Sequence, residues 1–238
     1  MILSPDGKTF YTVESGTNGS DYVAAINRAT GKSIRAFKTK FPPSGALAIL
    51  PNQSEIYVAT CNPNATLNCD GYVEVLNIAS GEESTAIAMG DDLVAQIAAA
   101  PNGATVYGVH YSNSTCPGCE TRPGIQPAAA PADSVPSGTL TAIDVASLQV
   151  GTSLGLGTAQ LPAAVAITQD SKYAYVLGTE IALLNTTVNG VYLPNMTLGA
   201  TISVAGCVGT SIAVSPGGSH GGHGIQLRQR SIRFCIRR

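Results

Sequence analysis

The stretch Met1-Ile-Leu-Ser-Pro-Asp-Gly-Lys-Thr-Phe-Tyr-Thr-Val13 constrains this chain most, because variants of it return down the sequence. An apolar segment meets Pro-Asp-Gly, where proline presets φ and glycine accepts a positive φ; alternation then resumes through Phe10, Tyr11 and Val13. The variants are Leu50-Pro-Asn-Gln-Ser-Glu-Ile-Tyr-Val58, Ala100-Pro-Asn-Gly-Ala-Thr-Val-Tyr107, Thr168-Gln-Asp-Ser-Lys-Tyr-Ala-Tyr-Val176 and Val214-Ser-Pro-Gly-Gly218. From Pro5 through Pro51, Pro101, Gln169 and Pro216 the steps are 46, 50, 68 and 47 residues. A period in the forties with several short strands per unit is the signature of propeller blades.

A second pattern keeps the same phase. Asp21-Tyr-Val-Ala-Ala-Ile-Asn-Arg-Ala-Thr-Gly-Lys32 matches Gly71-Tyr-Val-Glu-Val-Leu-Asn-Ile-Ala-Ser-Gly-Glu82, and Gly138-Thr-Leu-Thr-Ala-Ile-Asp-Val-Ala-Ser147 follows. Each is an alternating strand that ends on a polar residue; in the first two a glycine turn leads into a further strand. Four strands, a to d, therefore make one unit. In the fourth unit the expected strands are Ala163 to Thr168, Tyr173 to Gly178, Glu180 to Asn185 and Val191 to Leu198. The chain is expected to be all-β, a propeller of four-stranded antiparallel blades with about four blades present as an incomplete ring. The blades are expected at 1–40, 41–90, 91–157 and 158–199, with the start of a fifth at 200–218 and an insertion at 111–137. Residues 219–238, Gly/His-rich and then Arg-rich, break the pattern and are expected not to be native propeller sequence.

Ser4-Pro-Asp-Gly-Lys-Thr-Phe-Tyr-Thr-Val13 followed by Tyr22-Val-Ala-Ala-Ile-Asn-Arg-Ala-Thr-Gly-Lys32 resembles the YVTN family of β-propeller repeats. The resemblance covers residues 1 to 218 and rests on turn formers and core strand residues, so it implies a fold and leaves the activity open. It implies a ring of seven or so blades, more than this chain supplies. An open arc exposes both terminal sheets, so a fragment of a larger ring is the expected state.

Composition agrees with short strands: charged residues make up 12% and hydrophobic ones 44%, with 26 glycines, 14 prolines and no tryptophan. No apolar run reaches the roughly 18 residues of a membrane span. The net charge of −2 conceals an asymmetry, since residues 225–238 hold five of the thirteen basic residues and no acid. The remainder is therefore at about −7, which argues against a nucleic-acid-binding surface.

Propeller topology puts the a–b and c–d turns on one rim and the b–c loops on the other. The unusual residues gather in the b–c loops. Cys61 and Cys69 flank one of them, and a disulfide between them would contribute about 2 to 3 kcal/mol. Cys116-Pro-Gly-Cys119 lies in the insertion and is read as a small disulfide loop, with half a zinc site or a redox pair as alternatives. Cross-pairing among the four is open, because four cysteines allow three connectivities. His220 and His223 are the only histidine pair, too little for a metal site, and neither metal nor cofactor is expected.

Asn18, Asn52, Asn64, Asn113, Asn185 and Asn195 each begin an Asn-x-Ser/Thr sequon, six where chance supplies roughly two. Sequons with paired cysteines point to an extracellular or cell-surface protein. No nucleophile elbow is present and no catalytic set is expected. His110 ends a b strand and, with Tyr111, is a candidate for a binding face near the top of the central channel. Asn27, Asn77 and Asp144 recur at the ends of c strands and read as turn caps. The functional expectation is a non-catalytic scaffold that presents loops to a protein or glycan. The alternative is a propeller enzyme, lactonase-like or quinoprotein-like, whose site is incomplete in this chain.

Overall fold

The computed structural model describes residues 1–15, 21–62, 70–90, 92–112, 137–158, 160–180, 185–205, 209–215 and 225–226. Four antiparallel sheets of four strands follow one another along the chain. The first contains β1 (Ile2–Leu3), β2 (Thr9–Ser15), β3 (Asp21–Asn27) and β4 (Ser33–Lys38). The second contains β5 (Pro43–Ile49), β6 (Glu55–Asn62), β7 (Asp70–Asn77) and β8 (Glu83–Ala88). β9 (Asp92–Ala99), β10 (Thr105–Ser112), β11 (Ser137–Asp144) and β12 (Val150–Thr158) form the third. β13 (Gln160–Ile167), β14 (Tyr173–Glu180), β15 (Asn185–Tyr192) and β16 (Thr197–Val204) form the fourth. A two-stranded remnant, β17 (Ala213–Val214) with β18 (Ile225–Gln226), comes last.

The repeated sequence builds the same a–b turn four times. Gly7, Gln53, Gly103 and Ser171 each donate their N–H three residues back, to Ser4, Leu50, Ala100 and Thr168. The donor residue takes a left-handed φ of 70°, 58°, 72° and 58° respectively, which glycine adopts freely and Gln53 and Ser171 adopt against a Cβ penalty. Asp6, Asn52, Asn102 and Asp170 cap these turns by accepting the backbone N–H two residues on, at 3.0 to 3.1 Å. Asn27, Asn77 and Asp144 cap the c–d turns in the same manner, accepting from Thr30, Ser80 and Ser147.

Sheets stack through faces of opposite kind. The forward face of each, turned to the next sheet, carries the b-strand tyrosine, and the rear face is set one residue out of phase. Tyr11, Val23, Ala25 and Phe37 of the first sheet pack on Leu47, Ile56, Val58 and Leu76 of the second. Tyr57, Val73, Val75 and Ile87 of the second pack on Val94, Ile97, Val106 and Ile143 of the third. Tyr107, Val109, Leu140 and Leu156 then meet Val165, Val176 and Val191 of the fourth. The inner strands β1, β5, β9, β13 and β17 neighbour one another in series, and the sheets are not closed into a ring.

The forward face of the fourth sheet differs. Register pairs Val23 with Phe37, Val73 with Ile87, Leu140 with Leu154 and Val188 with Ile202, so these outer residues are equivalent. Phe37 and Ile87 are 1% and 7% exposed, whereas Ile202 is 49% exposed. Among the described residues, Ile212 and Val214 pack against Tyr175, Leu177 and Val188 there.

The strand bounds expected in the fourth unit need correction. Strands c and d of the fourth unit are Asn185–Tyr192 and Thr197–Val204, each shifted towards the C-terminus, so this sheet runs past residue 199. The polar run Asn185-Thr-Thr-Val-Asn-Gly reads as a turn by residue type, yet it is a strand. Thr186, Thr187 and Asn189 are buried in it, and Asn189 is satisfied by Gln160 and Thr201. The turn is instead the 3-10 segment Leu193–Asn195, closed by Met196 in a left-handed conformation. In the last unit, Ile225–Gln226 of the Arg-rich stretch pairs with Ala213–Val214.

Candidate loop-rim binding site

At the loop rim, the connection from β4 to β5 is tied to the second sheet by one carboxylate. Glu74 of β7 is fully buried on the rear face and accepts the N–H groups of Lys40 and Phe41 at 2.7 and 2.9 Å. Burial pushes its carboxyl above the ordinary value, and the two backbone N–H groups, which favour the ionised form, offset part of that rise. The Phe41 ring thereby lies on Tyr72 with centroids 4.6 Å apart, and the Lys40 ammonium sits 5.1 Å from the Phe41 centroid. Both rings are half-buried and Lys40 is exposed, so a cation and two aromatic faces share one patch of the rim. On the first sheet, Tyr22 donates its hydroxyl to Glu14 at 3.2 Å, in the strand position equivalent to Tyr72.

In three of the four sheets the position of Glu74 holds a buried polar residue. Register aligns Ala24, Glu74, Thr141 and Asn189, opposite Thr12, Val58, Gly108 and Val176. Thr141 Oγ1 lies 2.7 Å from His110 Nε2 and 2.8 Å from Ser153 Oγ, a chain of three polar groups across one sheet. Asn189 donates to Gln160 Oε1 and accepts from the Thr201 hydroxyl, both at 2.7 Å. The sequence shows these residues only as polar interruptions in apolar strands; recognising them needs the register.

The structure places the remaining candidates as follows. His110 lies inside β10, not at its end, and is buried on the rear face with its Nε2 against Thr141. Tyr111 follows it, and burial raises its hydroxyl above the usual range. Cys61, near the end of β6, is disulfide-bonded and donates its N–H to Pro42 O at 3.0 Å. Cys69, Cys116 and Cys119 lie outside the described residues, as do Asn18, Asn64 and Asn113. Asn52 and Asn195 are exposed on the turn rim and Asn185 is half-buried at the loop rim. Asn195 Oδ1 accepts the hydroxyl of its own sequon threonine, Thr197, at 2.7 Å. Among the described residues no group of three or more His, Cys, Asp or Glu side chains could hold a metal ion, and no helix is long and apolar enough to cross a membrane.

No protein-family model and no curated protein matches the sequence. Among solved structures, the chain is similar to hydrazine synthase of Kuenenia stuttgartiensis, a protein containing β-propeller domains, with a TM-score of 0.67 and 19% identity. The likeness covers 90% of this chain and 64% of that one. The stacked four-stranded sheets and this likeness define the class: the chain has a β-propeller-like fold.

Proposed function

We propose that this is a non-catalytic β-propeller scaffold of the YVTN type, secreted or held at the cell surface, that binds a protein or glycan on its loop rim. The observation that carries it is the patch of Lys40, Phe41 and Tyr72, where paired aromatic faces stand beside a cation. Such faces suit stacking against sugar rings or the apolar side chains of a partner, with little side-chain entropy to lose. The patch is also held in place, because buried Glu74 fixes the backbone of two of its members. The bonded state of Cys61 supports an oxidising compartment, and the exposed sequons at Asn52 and Asn195 accord with secretion.

The test is a screen of the folded chain against a glycan array and a panel of cell-surface ectodomains, repeated with Phe41→Ala and Tyr72→Ala. Binding that weakens about tenfold or more in both variants, as expected for a binding hot spot, supports the reading. Binding unchanged by either substitution, or turnover of a lactone panel by the same preparation, overturns it.

A further inference from the structure

The c–d turn of the fourth sheet keeps the backbone of the other three and changes its side chains. Register aligns Asn27, Asn77, Asp144 and Tyr192 near the end of strand c, opposite Thr9, Glu55, Thr105 and Tyr173. Four residues on, Gly31, Gly81, Leu148 and Met196 all take a left-handed φ, of 67°, 82°, 55° and 50°. In the first three turns the side chain at the strand end caps the turn, accepting the N–H of Thr30, Ser80 or Ser147. Tyr192 makes no such bond. At the position of Thr30, Ser80 and Ser147 the fourth turn has Asn195.

These two changes, together with Thr197, put an aromatic ring, an amide and a hydroxyl on one exposed turn. Thr197 Oγ1 donates to Asn195 Oδ1 at 2.7 Å, a bond that does not involve Asn195 Nδ2, the atom a glycan joins. Tyr192 is 37% exposed, and Asn195 and Thr197 are exposed beside it. Tyr192 is flanked by Tyr173, whose ring centroid is 5.2 Å from its own, and by Thr197, its register partner on β16. Residues paired in this way stand on one face of the sheet. Of the three sequons among the described residues, that of Asn195 has an aromatic residue within the three positions before it. Asn52 follows Ile49-Leu-Pro51, and Asn185 follows Ala182-Leu-Leu184.

We propose, resting on the secreted or cell-surface reading above, that Asn195 carries an N-linked glycan whose first sugar lies against the Tyr192 ring. The donor is an oligosaccharide held on a lipid diphosphate. Asn195 Nδ2 bonds to the anomeric carbon of its first sugar, the bond from that carbon to the diphosphate oxygen breaks, the lipid diphosphate leaves, and the amide gives up one proton to solvent. The C–H face of a sugar is weakly positive and the face of an aromatic ring is negative, so the two attract. The turn lies on the rim opposite Lys40, Phe41 and Tyr72, and a glycan there leaves that patch open to a partner.

The test starts from protein isolated from the cells that make it, with surface and medium separated from the cell interior. Enzymatic release of N-glycans in heavy-oxygen water should leave a labelled aspartate at position 195. In the intact glycoprotein, the acetamido methyl resonance of the first sugar should be shifted upfield by the ring current of Tyr192. Tyr192→Val should abolish that shift, and Tyr192→Phe should keep it. Protein found only in the interior, with sugar at no sequon, overturns the secretion reading and this proposal with it. Surface protein that bears sugar at other sequons and none at Asn195 overturns this proposal alone. A glycan at Asn195 whose methyl resonance is unshifted, or is shifted equally in Tyr192→Val, overturns the contact with Tyr192. If Tyr192→Val does not fold, the resonance in the unaltered chain and in Tyr192→Phe still decides.

Discussion

The seam between the first two sheets and the forward face of the fourth are built on the same register and end in different states. At the seam, Phe37 is closed in by the next sheet, and Glu74 behind it ties down the connecting chain. On the fourth sheet the equivalent Ile202 stands in solvent. The same strand pattern can therefore be core or surface, and the presence of a following blade decides which.

Substitution at the equivalent positions should show the contrast most strongly. Phe37→Ala should cost about 3 to 5 kcal/mol, as for other buried aromatic truncations, read from the denaturant midpoint. Ile202→Ala should cost below about 1 kcal/mol. Equal losses would mean that the two faces do not differ. Next in size, Glu74→Ala should cost about 2 to 4 kcal/mol, because a buried side chain is emptied and two backbone N–H groups lose their acceptor. Glu74→Gln, which keeps one acceptor oxygen, should lose less than half of that.

pH sharpens the same comparison. Because Glu74 is raised in the folded chain, its charge is a penalty above the folded value, and stability rises as pH falls through that value towards 4.5. Wild type should therefore gain on Glu74→Gln as pH is lowered from 7 to about 4.5. The turn carboxylates carry the opposite sign. Asp6, Asp144 and Asp170 are lowered, first by the hydroxyls of Ser4, Ser147 and Thr168 and then by backbone N–H groups. Their contribution is present above 3.8 and is lost as pH falls through the depressed values. The smallest effect belongs to the turns: Gln53→Gly should add up to about 1 kcal/mol by removing a left-handed Cβ. A loss of stability there would show that the Gln53 side chain contributes more than its backbone costs.

Most of the second sheet was legible in the sequence, because its turns and strand alternation are local properties. The alternation there reads as strands at about Ala46 to Leu50, Glu55 to Thr60, Tyr72 to Asn77 and Glu83 to Ala88, and the structure has Pro43–Ile49, Glu55–Asn62, Asp70–Asn77 and Glu83–Ala88. The fourth sheet was less legible. Asn189 looks like a turn residue until Gln160 and Thr201 come within reach, and neither partner is near it in sequence. Of the candidate site, the sequence marks His110, Tyr111 and the cysteines by rarity. The patch of Lys40, Phe41 and Tyr72 carries no local signal, because it joins a connecting segment to a strand over thirty residues away.

Turn chemistry, strand period and blade count are written locally, so Pro-Asp-Gly, the b-strand tyrosines and the spacing in the forties determined the all-β blades without reference to neighbours. Which strand face becomes core depends on what stacks against it. Only the tertiary structure could therefore bury Phe37 and Glu74 while leaving Ile202 exposed. The physical reason is that burial belongs to pairs of surfaces, and a single strand carries only one member of each pair.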